Sequence, residues 1–459
     1  MNAASPEDHK ACDCNKPGCD CSMPQVTFST FILSLASSAL VQLGEVPNPE
    51  SGATEQDLVI AKHTIDILTM LEEKTKQCLD SDEARLLEGN PVRTAHEIRH
   101  EKGGLKAMPQ EMIRVGLVGV TGYTGMELAR LLTGHPNMKL TAATSRTEAG
   151  KRLGDLYPFL NGLPGADVIL IEPEPELIAK ECDLAFLAVP HTAATEMAAA
   201  LVERGLKVVD LSADFRLKSA ETYEQWYKVE HKRPDLLPEA VYGLPELYAS
   251  DIAKARLVAN PGCYPTSIIL GMTAALADGL IETHGIVADS KSGVSGAGRS
   301  AKLGSLYCEV ADSFKAYGIG THRHTPEIEQ ELSRLAHGPM TISFNPHLVP
   351  MNRGILSTIY AQLKAPLSQA DAQRVYEETW ADSPWVRVLP SGQLPETRNV
   401  RGTMFCDMSV IVDPRTNRLI VVSVIDNVCR GASGQAIANA NIMCGLPVTT
   451  GLMLCAMMP

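Results

Sequence analysis

From Ile113 the chain reads "IRVGLVGVTGYTGMELARLLTGHP": a short β-branched apolar run, glycines at Gly119, Gly122 and Gly125, then residues at helical period. A strand that turns through glycines into a helix opens a βαβ unit, and parallel strands need such crossovers, so this stretch constrains everything that follows. Val118 is expected to end the strand and Met126 to open the helix. The alternation continues in "KLTAATS", "CDLAFLAVP" and "LKVVDLSA", further candidate parallel strands separated by helix-length segments, and it predicts a doubly wound α/β sheet. After "NPGCYPT" (Asn260 to Thr266) a long helix, "PTSIILGMTAALADGLI", is expected, and then the style changes. "GIVADSKSGVSG", "TISFNPHLVPMNRGILSTIYAQL" and "NRLIVVSVID" are longer strands with only "PLSQADAQRVYEETWA" helical between them, which predicts an antiparallel sheet covered by helices. The last helix, "GASGQAIANANIMCGL", is expected to pack back on the first sheet.

Upstream of Met112 the character differs. "FSTFILSLASSALVQLGE" has the length and apolar density of one helix, and "DLVIAKHTIDILTMLEEKTKQCL" sets Leu58, Ala61, Ile65, Leu68 and Leu71 at helical steps, so the two predict a helical hairpin. Residues 89–111 carry mixed charge, Gly-Gly and prolines and read as a linker. Residues 1–23 read as a polar, Cys-rich mobile tail.

At 459 residues the chain is long enough for two to three domains. A hydrophobic fraction of 45% and a charged fraction of 21% are ordinary for a globular protein. The net charge of -13 argues against a nucleic-acid surface, which needs a basic footprint. No basic-then-apolar leader is readable, and the run Phe28 to Leu43 is too short and serine-interrupted for a bilayer span. Twelve cysteines without framework spacing fit a reducing compartment. The expectation is a cytoplasmic protein that does not cross a membrane.

Five motifs carry chemistry. The glycines of Gly119-x-x-Gly122-x-x-Gly125 let backbone approach a pyrophosphate at a helix N-terminus, or else serve only the strand-to-helix turn. Past the next strand, where an acid would hold a ribose 2′-hydroxyl, "TSRTEAGKR" offers Ser145, Arg146 and Lys151, which suits a 2′-phosphate; the alternative is a solvated basic loop. Cys263 stands in turn chemistry between Pro261-Gly262 and Tyr264-Pro265, where a following helix N-terminus would lower its pKa; a free cysteine is otherwise a small buried hydrophobe. "HRHTPE" supplies imidazoles at His322 and His324 for proton transfer, with Arg323 and Glu327 near; i, i+2 histidines without supporting ligands are poor metal ligands, and no metal is expected there. Between them, "SKSGVSGAGRSAK" has Gly293, Ser295, Gly296 and Gly298 with Arg299 and Lys302, either an anion-binding nest or a plain glycine loop.

In order, "GVTGYTG", "TSR", "AVPH", "DLSADFRL", "VYGLPEL", "NPGCYPT", "SGVSGAGR", "HRHTPEI", "HLVPMNRGI" and "RGASGQA" resemble the N-acetyl-gamma-glutamyl-phosphate reductases, within the aspartate-semialdehyde dehydrogenase superfamily, over residues 112–459. The resemblance implies a Rossmann-type NADP-binding domain of 112–260 with 430–459, and an α+β catalytic and dimerisation domain of 261–429. It implies NADPH-dependent reduction of an acyl phosphate through a cysteine thioester, in arginine biosynthesis. Cys263 then matches the nucleophile and His324 the acid/base. Gly119, Thr121, Gly122, Tyr123, Thr124 and Gly125 match the pyrophosphate loop, and Ser145 and Arg146 the 2′-phosphate contacts. Ser212 and Asn427 match further cofactor contacts, and Ser295, Gly296, Arg299 and His322 substrate or phosphate contacts. A homo-oligomer, dimer or tetramer, is expected, acting on a small acyl phosphate. Neighbouring acyl-phosphate reductases, acting on aspartyl or aminoadipyl phosphate, and a non-catalytic NADP-binding redox sensor are the alternatives.

Residues 24–111 depart from that pattern and resemble a small bacterial helical domain of unknown function, expected to dock or oligomerise. Cys12-x-Cys14-x4-Cys19-x-Cys21 has four thiols that could take zinc, although C-x-C pairs lack the usual reach around one ion.

Overall fold

The computed structural model describes residues 27–43, 46, 57–75 and 112–458. The tail cysteines Cys12, Cys14, Cys19 and Cys21 and the linker 89–111 lie outside the described residues. The chain divides into two compact units, residues 1–110 and 111–459.

In the first unit, α1 (Phe28–Gln42) and α2 (Leu58–Thr75) pair as the predicted hairpin. Thr27 caps α1 in a reciprocal pair with Thr30, because its hydroxyl accepts one of the helix's orphan amides. The helices run antiparallel: Ile32 packs with Leu68, and Ala36, Ala39 and Leu43 pack with Ala61.

The second unit holds two sheets. The first has the strand order β3-β2-β1-β4-β5-β7-β6, built from β1 (Ile113–Val118), β2 (Met138–Thr144), β3 (Leu170–Ile171), β4 (Leu184–Leu187), β5 (Lys207–Asp210), β6 (Val241–Tyr242) and β7 (Leu257–Ala259). Every pairing is parallel, and the order reverses beside β1, as a doubly wound sheet requires. The helix after β1, α3 (Tyr123–Leu132), begins three residues before the expected Met126, since Gly122 already caps it.

The second sheet runs β12-β13-β14-β11-β8-β10-β9, with β8 (Ile286–Ser292), β9 (Lys315–Ala316), β10 (Ile342–Leu348), β11 (Ile355–Gln362), β12 (Val386–Val388), β13 (Cys406–Asp413) and β14 (Arg418–Ile425). The expected antiparallel sheet is corrected to a mixed one, because β10 pairs β8 and β12 pairs β13 in parallel. "TISFNPHLVPMNRGILSTIYAQL" is two strands, β10 and β11, which lie on either side of β8. Alternate residues of β8 and β11 are buried, as one covered face demands.

Helix α4 (Cys263–Ala277) lies on that face; it starts at the cysteine itself, two residues earlier than expected. A Cβ at its Gly271 would sit 3.1 Å from Ile359 and 3.4 Å from Val421, so the helix axis comes close to β11 and β14. A buried hydroxyl chain pins it: Ser267 Oγ lies 2.7 Å from Ser357 Oγ, which lies 2.8 Å from Ser290 Oγ. Helices α5 (Thr325–Leu335) and α6 (Gln369–Trp380) pack beside it. The C-terminal segment enters through a π-helical turn, Cys429–Ser433, before α7 (Gly434–Met443). As expected, α7 packs against β5 and α3 of the first sheet.

Candidate active site

The glycine turn is built for close approach of backbone. Gly119 takes φ +89°, which only glycine adopts cheaply, and a Cβ there would lie 2.6 Å from the Ala188 carbonyl oxygen. A Cβ at Gly125 would collide with the Gly119 carbonyl oxygen, whereas one at Gly122 would find only Thr124 Oγ1, 4.0 Å away. Two glycines therefore close the turn and the third leaves its mouth open. The first helical bond of α3 runs from the Met126 N–H to the Gly122 carbonyl, 2.9 Å; the earlier amides, through Thr124, have no upstream carbonyl and face the mouth. Open glycine and free amides fit a dinucleotide pyrophosphate.

The second centre is the cysteine turn. Gly262 caps α4, Cys263 is its first residue, and Pro265 falls in the first turn, where a missing N–H costs nothing. Glu327, on α5, holds this turn from behind. Its Oε1 accepts the Gly262 N–H at 2.7 Å and the Tyr242 hydroxyl at 2.8 Å, and its Oε2 accepts Arg216 Nη1 at 3.3 Å. Arg216 in turn donates Nε to the Asn260 carbonyl and Nη2 to the Leu211 carbonyl, both 2.8 Å. The pair is almost wholly buried, with side-chain exposures of 7% and 1%. Removing one partner of such a pair costs about 3–5 kcal/mol, so the turn is rigidly placed.

His324 caps α5 and closes the site. A Cβ on Gly262 would lie 2.6 Å from His324 Nε2 and 2.9 Å from Arg216 Nη1, so glycine there is the space the imidazole occupies beside Cys263. His324 Nδ1 is buried without a partner, an atom that a bound molecule would satisfy. His322 stands edge-on to it, ring centroids 4.9 Å apart, and both face Tyr264. On the other side of the cysteine, Gly431 leaves so little room that a Cβ there would sit 2.6 Å from Cys263 Cβ.

The charge state differs from the expectation. Burial pushes the Cys263 thiol up to about 11, outweighing the Tyr264 backbone N–H and the Arg216 charge that pull it down. The helix N-terminus acts in the expected direction but loses to burial, which sequence cannot weigh. Burial, His322 and Arg216 hold His324 well below the usual imidazole value, and burial lowers His322 to about 4. With Cys263 half-buried at the surface of its turn, these shifts favour a neutral thiol beside a neutral imidazole.

A cleft of about 890 Å³ opens between the glycine turn and the loop after β8, lined by Tyr123, Glu127, Ser295, Arg299, Arg353 and Val428 among others. Cys263 does not line it; Val428 connects it to the Gly431 backing of the cysteine. Arg299 is exposed at the cleft, and its Nη1 donates to the Thr121 carbonyl at 2.9 Å and the Tyr157 hydroxyl at 3.0 Å, bridging the loop to the glycine turn while Nε and Nη2 stay open, without a partner among the described residues. Asn427 is likewise engaged, its Oδ1 accepting the Gly354 N–H at 2.7 Å and its Nδ2 donating to Ser295 Oγ at 2.9 Å. Gly296 is exposed on the same loop.

Arg353 completes the connection. It donates to both Glu127 and Asp426, and Asp426 accepts the Val428 and Cys429 amides of the turn behind the cysteine. Burial raises the Glu127 carboxyl, but Arg130 and Arg353 outweigh it and hold it at about 2.

At the end of β2, Ser145 is buried and its hydroxyl accepts the Glu148 N–H at 3.1 Å, shaping the turn that exposes Arg146. Lys151 is not a free cation, because it pairs with Glu148 at 2.6 Å. Ser212 Oγ donates to Asp210 at 2.7 Å and accepts the Asp214 N–H at 3.1 Å, so it is buried in a loop-holding network. Burial pushes Asp210 up to about 7.

Sequence reasoning missed Arg216, Tyr242, Arg353 and Gly431 as parts of the site. The words "DLSADFRL", "VYGLPEL", "HLVPMNRGI" and "RGASGQA" contain them, but nothing local marks which residue of each the fold brings to the site.

Residues 114–255 match the family described as semialdehyde dehydrogenase, NAD binding domain, and residues 263–427 match semialdehyde dehydrogenase, dimerisation domain. Residues 25–90 match a domain of unknown function, DUF1844. The chain is 54% identical over 349 residues to an N-acetyl-gamma-glutamyl-phosphate reductase of Geobacter sulfurreducens, covering 76% of this chain and 100% of that one. It is 53% identical over the same length to one of Desulfotalea psychrophila, with the same shares. Among solved structures, aspartate semialdehyde dehydrogenase II of Vibrio cholerae matches with TM-score 0.57 at 16% identity, over 73% of this chain and 98% of that one. The aspartate semialdehyde dehydrogenase of Candida albicans with NADP matches with TM-score 0.56 at 18% identity, over 72% and 98%. At those identities the likeness concerns the fold.

Proposed function

The chain belongs to the N-acetyl-gamma-glutamyl-phosphate reductase family, and on that premise we propose how its residues divide the reaction. The reaction is the NADPH-dependent reductive dephosphorylation of N-acetyl-L-glutamyl 5-phosphate to the 5-semialdehyde, in arginine biosynthesis. Residues 112–260 with 430–459 hold the cofactor, and 261–429 carry catalysis and self-association.

Cys263 is the nucleophile. Its Sγ attacks the acyl carbon, the thiol proton passes to neutral His324, the C–O bond to phosphate breaks, and a thioester remains on the protein. A thiol at about 11 needs this base, since thiolate is scarce at neutral pH. NADPH, when bound, supplies the hydride that reduces the thioester carbonyl. His324 gives its proton to the resulting oxygen, takes it back as the C–S bond breaks and the aldehyde leaves, and then passes it to the freed sulfur, which restores the thiol and the neutral imidazole. The Cys263 and Tyr264 amides, in the first turn of α4, are the nearest donors for the developing oxyanion.

Gly119, Thr121, Gly122, Tyr123, Thr124 and Gly125 would hold the pyrophosphate, and Ser145 and Arg146 the 2′-phosphate. Ser295, Gly296 and His322 face the substrate. Ser212 and Asn427 act at one remove, by fixing the loops around the cleft, and Arg299 fixes a loop through Nη1 while its remaining N–H groups serve a substrate anion. The homo-oligomer, dimer or tetramer, forms on the second sheet's uncovered face, where Val287, Leu356, Tyr360 and Val422 stay half-buried in one chain. The seven described cysteines are all free, which agrees with a cytoplasmic site of action.

The observation that carries this reading is the placement of His324 Nε2 against Gly262, beside a cysteine that opens a helix. Cys263→Ser should abolish phosphate-dependent NADP reduction with N-acetyl-L-glutamate 5-semialdehyde while cofactor still binds. Substantial surviving activity would remove Cys263 as the nucleophile.

A further inference from the structure

The helical hairpin plays no part in the reaction above, and its surface is unusual. Residues 28–43, "FSTFILSLASSALVQL", contain no charged side chain. A helix that is apolar or small all round is normally covered all round. Here α2 covers one stripe, Ile32, Ala36, Ala39 and Leu43, with Phe28, Leu35 and Leu40 partly buried beside it, while Phe31 and Leu33 stay 45% and 51% exposed. Ile60 and Met70 of α2 are each 49% exposed.

The interior of the hairpin is also thin. Its described core is Ala36, Ala39, Leu43 and Ala61, with Ile32 and Leu68 beyond them. Helices of 15 and 18 residues whose described core is this small are marginal alone, and domains of this size are usually completed by a disulfide, a metal or another chain.

We propose that the α1–α2 hairpin is a self-association module, in which the charge-free face of α1 packs on the same face of a second copy to form a four-helix bundle. Three observations select that occupant. A face without charge offers nothing to a nucleic acid, an acidic peptide or an anionic lipid headgroup, whereas an apolar patch is complementary to itself across a twofold axis. Ser34, Ser37 and Ser38 are exposed among the apolar residues, and small side chains let two helices approach closely. Residues 263–427 match a dimerisation domain, so a second copy of the hairpin belongs to the same assembly and its encounter with the first is intramolecular. No described helix is long and apolar enough to cross a membrane. The proposal does not depend on the catalytic roles given above.

The test uses the full chain with Phe31 replaced by the photo-crosslinker p-benzoylphenylalanine. Irradiation should give a species of twice the 49.4 kDa chain mass on a denaturing gel, with the crosslink mapping to residues 27–75 of the second chain. A crosslink within one chain, a crosslink to residues 112–458 of either chain, or no crosslink would each overturn the proposal. A dilution series followed by mass photometry is the second arm. The full-length oligomer should survive at least tenfold greater dilution than residues 112–459 alone, and Leu33→Asp should lose that advantage with turnover unchanged. Coincident dilution curves for all three proteins would equally overturn it.

Discussion

Gly431→Ala tests the site's most confining contact. The added methyl carbon would sit 2.6 Å from Cys263 Cβ, 3.0 Å from Cys263 Cα and 3.4 Å from Ile425 Cδ1. Carbon atoms in ordinary contact are about 3.5–4.0 Å apart, so something must retreat by roughly 1 Å. Cys263 opens a helix and cannot swing aside, and the space over Gly262 is filled by His324 and Arg216. The cysteine turn therefore moves as a whole. A displacement of that size at a reacting atom costs about a hundredfold in rate, or about 2.7 kcal/mol of barrier, and the overpacking costs about 1–3 kcal/mol of stability. The assay is kcat for phosphate-dependent NADP reduction with the semialdehyde, with a melting curve to establish folding and KM for NADP as the control. We expect kcat to fall about a hundredfold with KM for NADP within about threefold. A folded variant with kcat within about threefold of the parent would refute the view that Gly431 backs the nucleophile.

The thiol's protonation is open to direct titration. Because burial raises the Cys263 pKa to about 11, the thiolate fraction of the free enzyme should be about one in ten thousand at pH 7 and grow about tenfold per pH unit. The rate of iodoacetamide labelling at Cys263 should follow that slope to pH 10, and a plateau reached below pH 8 would show a stabilised thiolate instead. Arg146→Ala removes the exposed cation at the end of β2; KM for NADPH should rise about ten- to a hundredfold, as for a lost charged phosphate contact, with NADH turnover unchanged. Equal losses with both cofactors would take Arg146 out of the 2′-phosphate site.

Features set by local chemistry were legible in the sequence. The glycine turn, the hairpin of α1 and α2 and the parallel first sheet follow from turn residues and hydrophobic period, which act within a few residues. The strands β3, β6 and β7 were not visible, because two or three residues carry no period. Of the second sheet, β8, β10, β11 and β14 were legible as strands, whereas β9, β12 and the eight-residue β13 were not read, nor was the parallel pairing of β8 with β10, since partner choice is made between segments far apart in the chain.

The motifs around Cys263 and His324 named the candidate reacting groups from the order of words along the chain. They could not supply what sets those groups' behaviour. Glu327 reaches the Gly262 amide over 65 residues, and Arg216 meets Glu327 over 111; both are ordinary charged residues until the fold buries them together. The thiol's pKa is the clearest case. By itself the sequence determined that a cysteine stands in a turn just ahead of a helix, which favours the thiolate, and that histidines follow in a later motif. Only the tertiary structure decided that the thiol keeps its proton, because desolvation depends on everything packed around the sulfur and outweighs the local helix field.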